Sequence, residues 1–198
     1  MENVGMLSQS FWRRFIKMLM VLAVIIVVVL AVLFYCAWID FKEYYLGVMR
    51  NLNSSETKAF MRSRISGTYD FIGLIEWTND NLNWCDESFT RYSDPKRILE
   101  QGKGRCEEFA IVYVAACLAC GYEARIVVSR QFYQIFIRGF HAWAEVKVNG
   151  TWVQVDPSPT PFWNDTSRYR SWNWGPRCTL KVYAFEDGKV EDVTWRYR

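Results

Sequence analysis

The sequence predicts an α+β fold, in which helices pack on an antiparallel sheet, preceded by one transmembrane helix. Three observations predict it. The run from Met18 to Ile39 carries no charged residue. Apolar residues recur at helical spacing as far as Cys120 and alternate at strand spacing beyond it. Asn149-Gly150 stands between two alternating runs, which is the signal of a two-residue hairpin turn. Helices first and hairpin-linked strands afterwards is the α+β order.

The composition supports one such domain and excludes several classes. In 198 residues, 51% hydrophobic and 17% aromatic content supplies enough apolar surface to offset chain entropy, so the chain is not disordered. No self-similar period is present, which excludes a repeat architecture. The single His rules out His-rich metal sites and any mechanism that needs two imidazoles. Six Cys are too few for a disulfide scaffold.

The uncharged run covers 22 residues, centred on VLAVIIVVVLAVLF. At about 1.5 Å per residue it spans a hydrocarbon core of about 30 Å. It ends in Phe34, Tyr35 and Trp38, an aromatic anchor at the interface, with no small-residue cleavage site of the kind that follows a signal peptide. Arg13, Arg14 and Lys17 flank its N-terminal end, against Lys42 and Arg50 beyond the other. That bias places the N-terminus in the cytoplasm and the domain outside the cell membrane. Asn-x-Ser/Thr triplets at Asn53, Asn149 and Asn164 agree with an outside domain but add little at the frequency chance provides. The expected organisation is a cytoplasmic tail over 1–17, a membrane helix over 18–39, a juxtamembrane connector and helix over 40–68, and a folded domain over 69–198. Beyond residue 39 the chain holds 21 basic and 20 acidic residues with no basic block, so nucleic acid is not an expected partner.

The elements follow in order. Ser54 or Ser55 caps a short helix that runs to Arg64, and Gly67 breaks the chain. Tyr69–Asn81 has apolar residues at 71, 72, 74, 75 and 77, a one-faced helix. Ser93-Asp94-Pro95 is a cap followed by Pro at the first helical position, and Gly102 closes that helix. A third helix runs from Cys106 to Cys120, with Phe109, Tyr113, Ala116 and Cys120 on one stripe and Gly121 beyond its end. Strands are expected at Ala124–Ser129, His141–Val148, Thr151–Val155, Leu180–Phe185 and Val190–Tyr197, with a second turn at Asp187-Gly188.

The hairpin register carries the chemistry. A two-residue loop at 149–150 pairs Lys147 with Trp152, Glu145 with Gln154 and Trp143 with Asp156. His141 then shares a face with Trp143 and is the diagonal neighbour of Asp156, within about 7–8 Å at Cβ. An imidazole beside a carboxylate is the arrangement that orients a catalytic base and stabilises its cation. Cys106 opens a helix behind Gly102-Lys103-Gly104-Arg105, where the helix N-terminus favours thiolate over thiol and first-turn N–H groups face a developing oxyanion. The glycines there allow backbone to approach substrate closely. Cys117 and Cys120 lie on the apolar stripe, so core packing outweighs a zinc site with Cys85 and Cys178. A Cys85–Cys178 disulfide stays open. The loop Phe162–Trp174 sets rings among polar residues, which suits a sugar or peptide, although packing under a long loop is the commoner use.

Cys106-Glu107-Glu108-Phe109-Ala110, Gly121–Arg125, His141-Ala142-Trp143, Trp152 and Asp156-Pro157 follow the order of the transglutaminase-like cysteine superfamily. Arg91-Tyr92-Ser93-Asp94-Pro95, Gly104-Arg105-Cys106 and the closing Asp192-Val193-Thr194-Trp195-Arg196-Tyr197 make the sequence most similar to its peptide:N-glycanase branch, over about residues 70–198. The sequence departs from that branch in lacking paired Cys-x-x-Cys zinc motifs before Cys106. It also has Glu107 where the branch has Gly, and Ser158-Pro159 where an acidic residue follows.

The resemblance implies a papain-like core with Cys106 as nucleophile, His141 as general base and acid, and Asp156 as its orienting group. It implies a Trp serving the oxyanion or substrate, with Trp84 the first candidate, Trp77 the second, and Trp143 beside the His. No metal or organic cofactor is implied. The expected activity is a membrane-anchored thiol amidase acting on the glycan–asparagine amide of glycopeptides. The alternatives are a cysteine peptidase or transglutaminase on protein substrates, or a non-catalytic module that binds glycoproteins. The expected partners are the lipid bilayer and a protein, peptide or glycopeptide substrate.

Overall fold

The computed structural model describes residues 9–67, 69–85, 90–133, 136–159 and 178–197. The chain forms two units, Met1–Glu43 and Tyr44–Arg198. Helix α1, Gln9–Asn53, passes through both. Within the first unit every side chain from Phe11 to Ala37 is exposed, and the helix is long and apolar enough to cross a membrane. The second unit holds helices and an antiparallel sheet, the α+β class read from the sequence.

Within the stretch expected as a juxtamembrane connector and helix over 40–68, α1 continues without a break as far as Asn53. Tyr45, Leu46, Val48, Met49 and Leu52 are buried there, an i, i+1, i+3, i+4, i+7 stripe that packs into the second unit. Helix α2 runs Ser55–Arg64, with the Ser54 hydroxyl accepting from Thr57 N at 3.1 Å. Helix α3, Gly73–Asn81, starts later than the apolar spacing predicts. The Asp70 carboxylate takes the Gly73 N–H at 2.7 Å and caps the chain at that point.

Strand β1 (Asn83–Trp84) and strand β2 (Lys103–Gly104) form a short parallel pair on either side of helix α4, Pro95–Gln101. Asp94 caps α4, and Gly102 ends it at φ +67°. Helix α5, Cys106–Ala119, is buried on nearly every face, not along one stripe. The sheet covers one side of it and α2, α3 and α4 cover the rest. Cys120, expected on the apolar stripe, is exposed at its C-terminal end.

The sheet has five strands in the order β5-β4-β3-β6-β7, every pair antiparallel: β3 Ala124–Tyr133, β4 Phe136–Val148, β5 Thr151–Val155, β6 Cys178–Glu186 and β7 Lys189–Asp192. The β4–β5 register matches the one read from the sequence, with Glu145 opposite Gln154 and Lys147 opposite Trp152. Asn149 and Gly150 turn the hairpin at φ +50° and +80°, as a type I′ turn requires. The strand expected over Val190–Tyr197 stops at Asp192, and Thr194–Tyr197 is a 3₁₀ turn. Asp192 accepts the Thr194 N–H at 3.0 Å, and the Thr194 hydroxyl takes the Val182 N–H at 3.0 Å, which bends the chain inward. Trp143, Tyr197, Val127, Val182, Ala184 and Val193 form a core cluster beneath that turn.

Candidate active site

Cys106 is the first residue of α5. The helix starts there because the Glu108 carboxylate reaches back to the Arg105 N–H at 3.0 Å, satisfying a donor that the helix itself leaves unpaired. Gly104 is explained by packing: a Cβ there would lie 2.4 Å from the Glu108 Cβ. The β1–β2 pair joins at the same place. Trp84 pairs with Gly104, Cys85 N donates to Gly104 O at 3.0 Å, and Arg105 Nε donates to Cys85 O at 3.1 Å.

His141 lies on β4, where its backbone N–H donates to the Ser129 hydroxyl at 3.2 Å across the β3 pairing. Its Nε2 stands 2.7 Å from Asp156 Oδ2. The diagonal placement read from the hairpin therefore closes into a direct hydrogen bond. With Nε2 taken, the other ring nitrogen is left for Cys106, whose thiol lies near enough to raise the imidazole pKa. Asp156 is 2% exposed, and its second oxygen accepts from Ser158 N at 3.0 Å and from the Ser158 hydroxyl. His141 and Asp156 are thus hydrogen-bonded from one strand and the end of the next, with Cys106, at a helix start, near enough to raise the imidazole pKa.

Burial alone would lower the His141 pKa. The hydrogen bond to Asp156, the nearby Cys106 thiol and the charges of both outweigh it, pushing it from 6.5 up to about 10. The imidazole is therefore held as a cation around neutrality. Its contribution to stability is complete below about pH 6.5 and is lost as pH rises through about 10. Nitrogen-15 imidazole spectra should show both ring protons retained at pH 8. Asp156→Asn should bring the titration down toward its ordinary range, and an unchanged midpoint in that variant would refute this account of the shift.

The expected Trp residues divide. Trp84 is 42% exposed beside Gly104, with its ring 6.1 Å from Phe109. Trp77 is only 8% exposed, packed as a core residue of α3. Trp143 is the third candidate. It is 1% exposed, its indole N–H is given to the Tyr197 hydroxyl at 3.1 Å, and its ring stacks 5.7 Å from His141. The Tyr197 hydroxyl donates a hydrogen bond to Glu145 at 2.7 Å, which gives the closing DVTWRY motif a physical task.

Cys117 is fully buried, and burial pushes its thiol pKa well up, consistent with core packing. The loop Phe162–Trp174, Asn164 and the Cys178 side chain lie outside the described residues. Sequence reasoning missed Ser158, although Asp-Pro-Ser is a recognisable Asx-turn pattern. It also assigned no task to Arg91, which bonds Glu108 at 3.0 Å and also pairs with Glu107.

Residues 66–157 match the Transglutaminase-like superfamily. The chain is 32% identical over 134 residues to the peptide-N(4)-(N-acetyl-beta-glucosaminyl)asparagine amidase of Gallus gallus, covering 62% of this chain and 19% of that protein. It is 29% identical over 166 residues to the same-named protein of Mus musculus, covering 79% of this chain and 24% of that one. The chain thus spans about a fifth to a quarter of the length of these curated relatives. A solved structure of a candidate cysteine protease from Cytophaga hutchinsonii aligns at TM-score 0.45 and 16% identity, over 77% of this chain and 56% of that one.

Proposed function

We propose that this chain, which belongs to the transglutaminase-like superfamily and is related to peptide N-glycanases, is a thiol amidase that cleaves the glycan–asparagine amide of glycopeptides. The observation that carries the reading is the imidazole of His141, hydrogen-bonded to Asp156 at 2.7 Å and with its pKa raised by both Asp156 and Cys106. That constellation suits acyl transfer to sulfur. The Cys106 sulfur attacks the side-chain carbonyl of the glycosylated Asn. The cationic His141 donates its proton to the departing glycosylamine as the C–N bond breaks. A thioester between Cys106 and the former Asn side chain remains. Water, losing its proton to His141, attacks that thioester, and Asp is released with the sulfur restored. Asp156 keeps the imidazole oriented and balances its charge throughout.

The choice of this amide is supported by the relatives, whose names specify an asparagine amidase. Trp84, exposed next to the Cys106 loop, is the ring we assign to the oxyanion or substrate side. The apolar part of α1 supports anchoring in a membrane, and Arg13, Arg14 and Lys17 favour a cytoplasmic N-terminus with the catalytic unit outside.

The product distinguishes the chemistries that share an acyl-enzyme. A glycan amidase converts the linked Asn to Asp, a gain of about one mass unit, and releases an intact glycan with the backbone whole. A peptidase cuts the backbone and leaves the glycan in place, and a transglutaminase joins an amine to Gln with loss of ammonia. Mass spectrometry of a glycopeptide treated with the protein should show the Asn-to-Asp product. Backbone scission of a glycan-free peptide, with the matched glycopeptide still glycosylated, would reject the proposal in favour of the peptidase.

A further inference from the structure

Glu107 follows Cys106 in the first turn of α5 and is 5% exposed. A buried carboxylate persists only when its oxygens are paired. One oxygen accepts from the Tyr45 hydroxyl at 2.8 Å, and the other is paired with Arg91. Arg91 Nε also reaches the neighbouring Glu108 at 3.0 Å. The turn that carries Cys106 is thus held from two directions, by Arg91 ahead of α4 and by Tyr45 from the last turns of α1.

Tyr45 is itself packed. It is 3% exposed, and its ring lies 5.0 Å from the Phe185 ring and 4.9 Å from the Tyr44 ring. Burial, then the charge of Glu107 and the hydrogen bond to it, push the Tyr45 pKa well up, so its hydroxyl keeps the proton it donates. The charged and titratable groups facing Cys106 and Glu107 are Tyr44 and Tyr45 of α1, Arg91, Glu108 of α5 and His141 of β4.

We propose that Tyr45 is a positioning residue for Cys106, acting through Glu107, and that residues 44–53 of α1 belong to the catalytic unit and are not merely a tether. The inference rests on Cys106 being the nucleophile. The Tyr45 hydroxyl disperses the Glu107 charge and fixes its direction. Without it, a less compensated carboxylate stands next to a sulfur that reacts as an anion.

The test uses the full chain in detergent micelles, with folding checked by circular dichroism. The rate at which iodoacetamide labels Cys106 at pH 7 is read by peptide mass spectrometry. Tyr45→Phe should slow labelling by about threefold to tenfold. Glu107→Gln, which removes the charge and keeps an acceptor, should accelerate it. In the Glu107→Gln background, Tyr45→Phe should change the rate by less than about twofold, because the route through the carboxylate is gone. On glycopeptide, Tyr45→Phe should lower kcat with KM held within about twofold. Two slowing effects that simply add would show a general loosening and overturn the proposal. If Tyr45→Phe does not fold, Glu107→Gln decides alone, since slowed or unchanged labelling in that variant overturns it. Undiminished turnover by Cys106→Ala would instead remove the nucleophile reading, while the labelling results still reported the coupling.

Discussion

Cys106→Ala is expected to abolish turnover, by about 10⁴-fold or more, while the domain stays folded. The side chain is half-buried at a helix start, so losing its sulfur leaves no large cavity. The N-terminal turn is held by Glu108 and Arg91, and neither contact uses the thiol. The chemical step has no substitute, because the other thiol on the same helix, Cys117, is buried and held protonated. Combining Cys106→Ala with His141→Ala should cost little more than either alone, since the groups act as one unit. Asp156→Asn keeps a sulfur and an imidazole and should lose less, about 10²–10⁴-fold. The measurement is kcat on a glycopeptide beside a thermal unfolding curve for each variant. Full activity in Cys106→Ala would end the assignment.

Arg125→Leu is expected to produce the largest loss of stability. Arg125 is 0% exposed, and it bonds Glu145 at 2.7 Å, Glu186 at 2.6 Å and Glu191 at 3.0 Å, with its guanidinium 4.0 Å from the Trp152 ring centre. These partners come from three other strands, so one side chain ties β3 to β4, β6 and β7. Removing it leaves Glu145 at 2% exposure with Tyr197 and Arg196 as its remaining partners. Breaking a buried ion pair from one side costs about 3–5 kcal/mol, a large fraction of a typical domain stability of about 5–15 kcal/mol. Arg125→Lys should recover little, because an ammonium cannot reproduce a planar fork that serves several carboxylates. Arg125→Leu with Glu145→Leu should be milder than Arg125→Leu alone, since no buried charge is stranded. Urea unfolding midpoints test the series, and a midpoint for Arg125→Leu within error of wild type would refute this role. The loss should also reach the site, because Glu145 bonds Tyr197, Tyr197 bonds Trp143, and Trp143 stacks on His141.

What the sequence determined by itself was local in origin. Asn149-Gly150 dictates a two-residue turn, and that turn dictates the register. With a side-chain period of two, the register leaves His141 and Asp156 on one face. Asp94-Pro95 and Gly102 bound α4 through φ and capping, which depend on neighbours along the chain. The α+β order and the apolar helix were legible for the same reason. The tertiary structure decided what depends on distant partners. Residues 44–52 read as a connector because their apolar stripe is short, and only the fold supplies the surface that buries it. Trp77, Trp84 and Trp143 are chemically alike in sequence, and burial separates them into core and exposed rings. The closing DVTWRY could be matched to a family, but its task as the bond between Trp143 and Glu145 required β4 and the 3₁₀ turn to meet. Glu107 stood out in the sequence only as a departure from the glycanase branch, and its bond to Tyr45, 62 residues earlier, exists only in the fold. Short-range rules of turn, cap and period act on a few consecutive residues, whereas pairing of buried charges is settled by packing between segments remote in the chain.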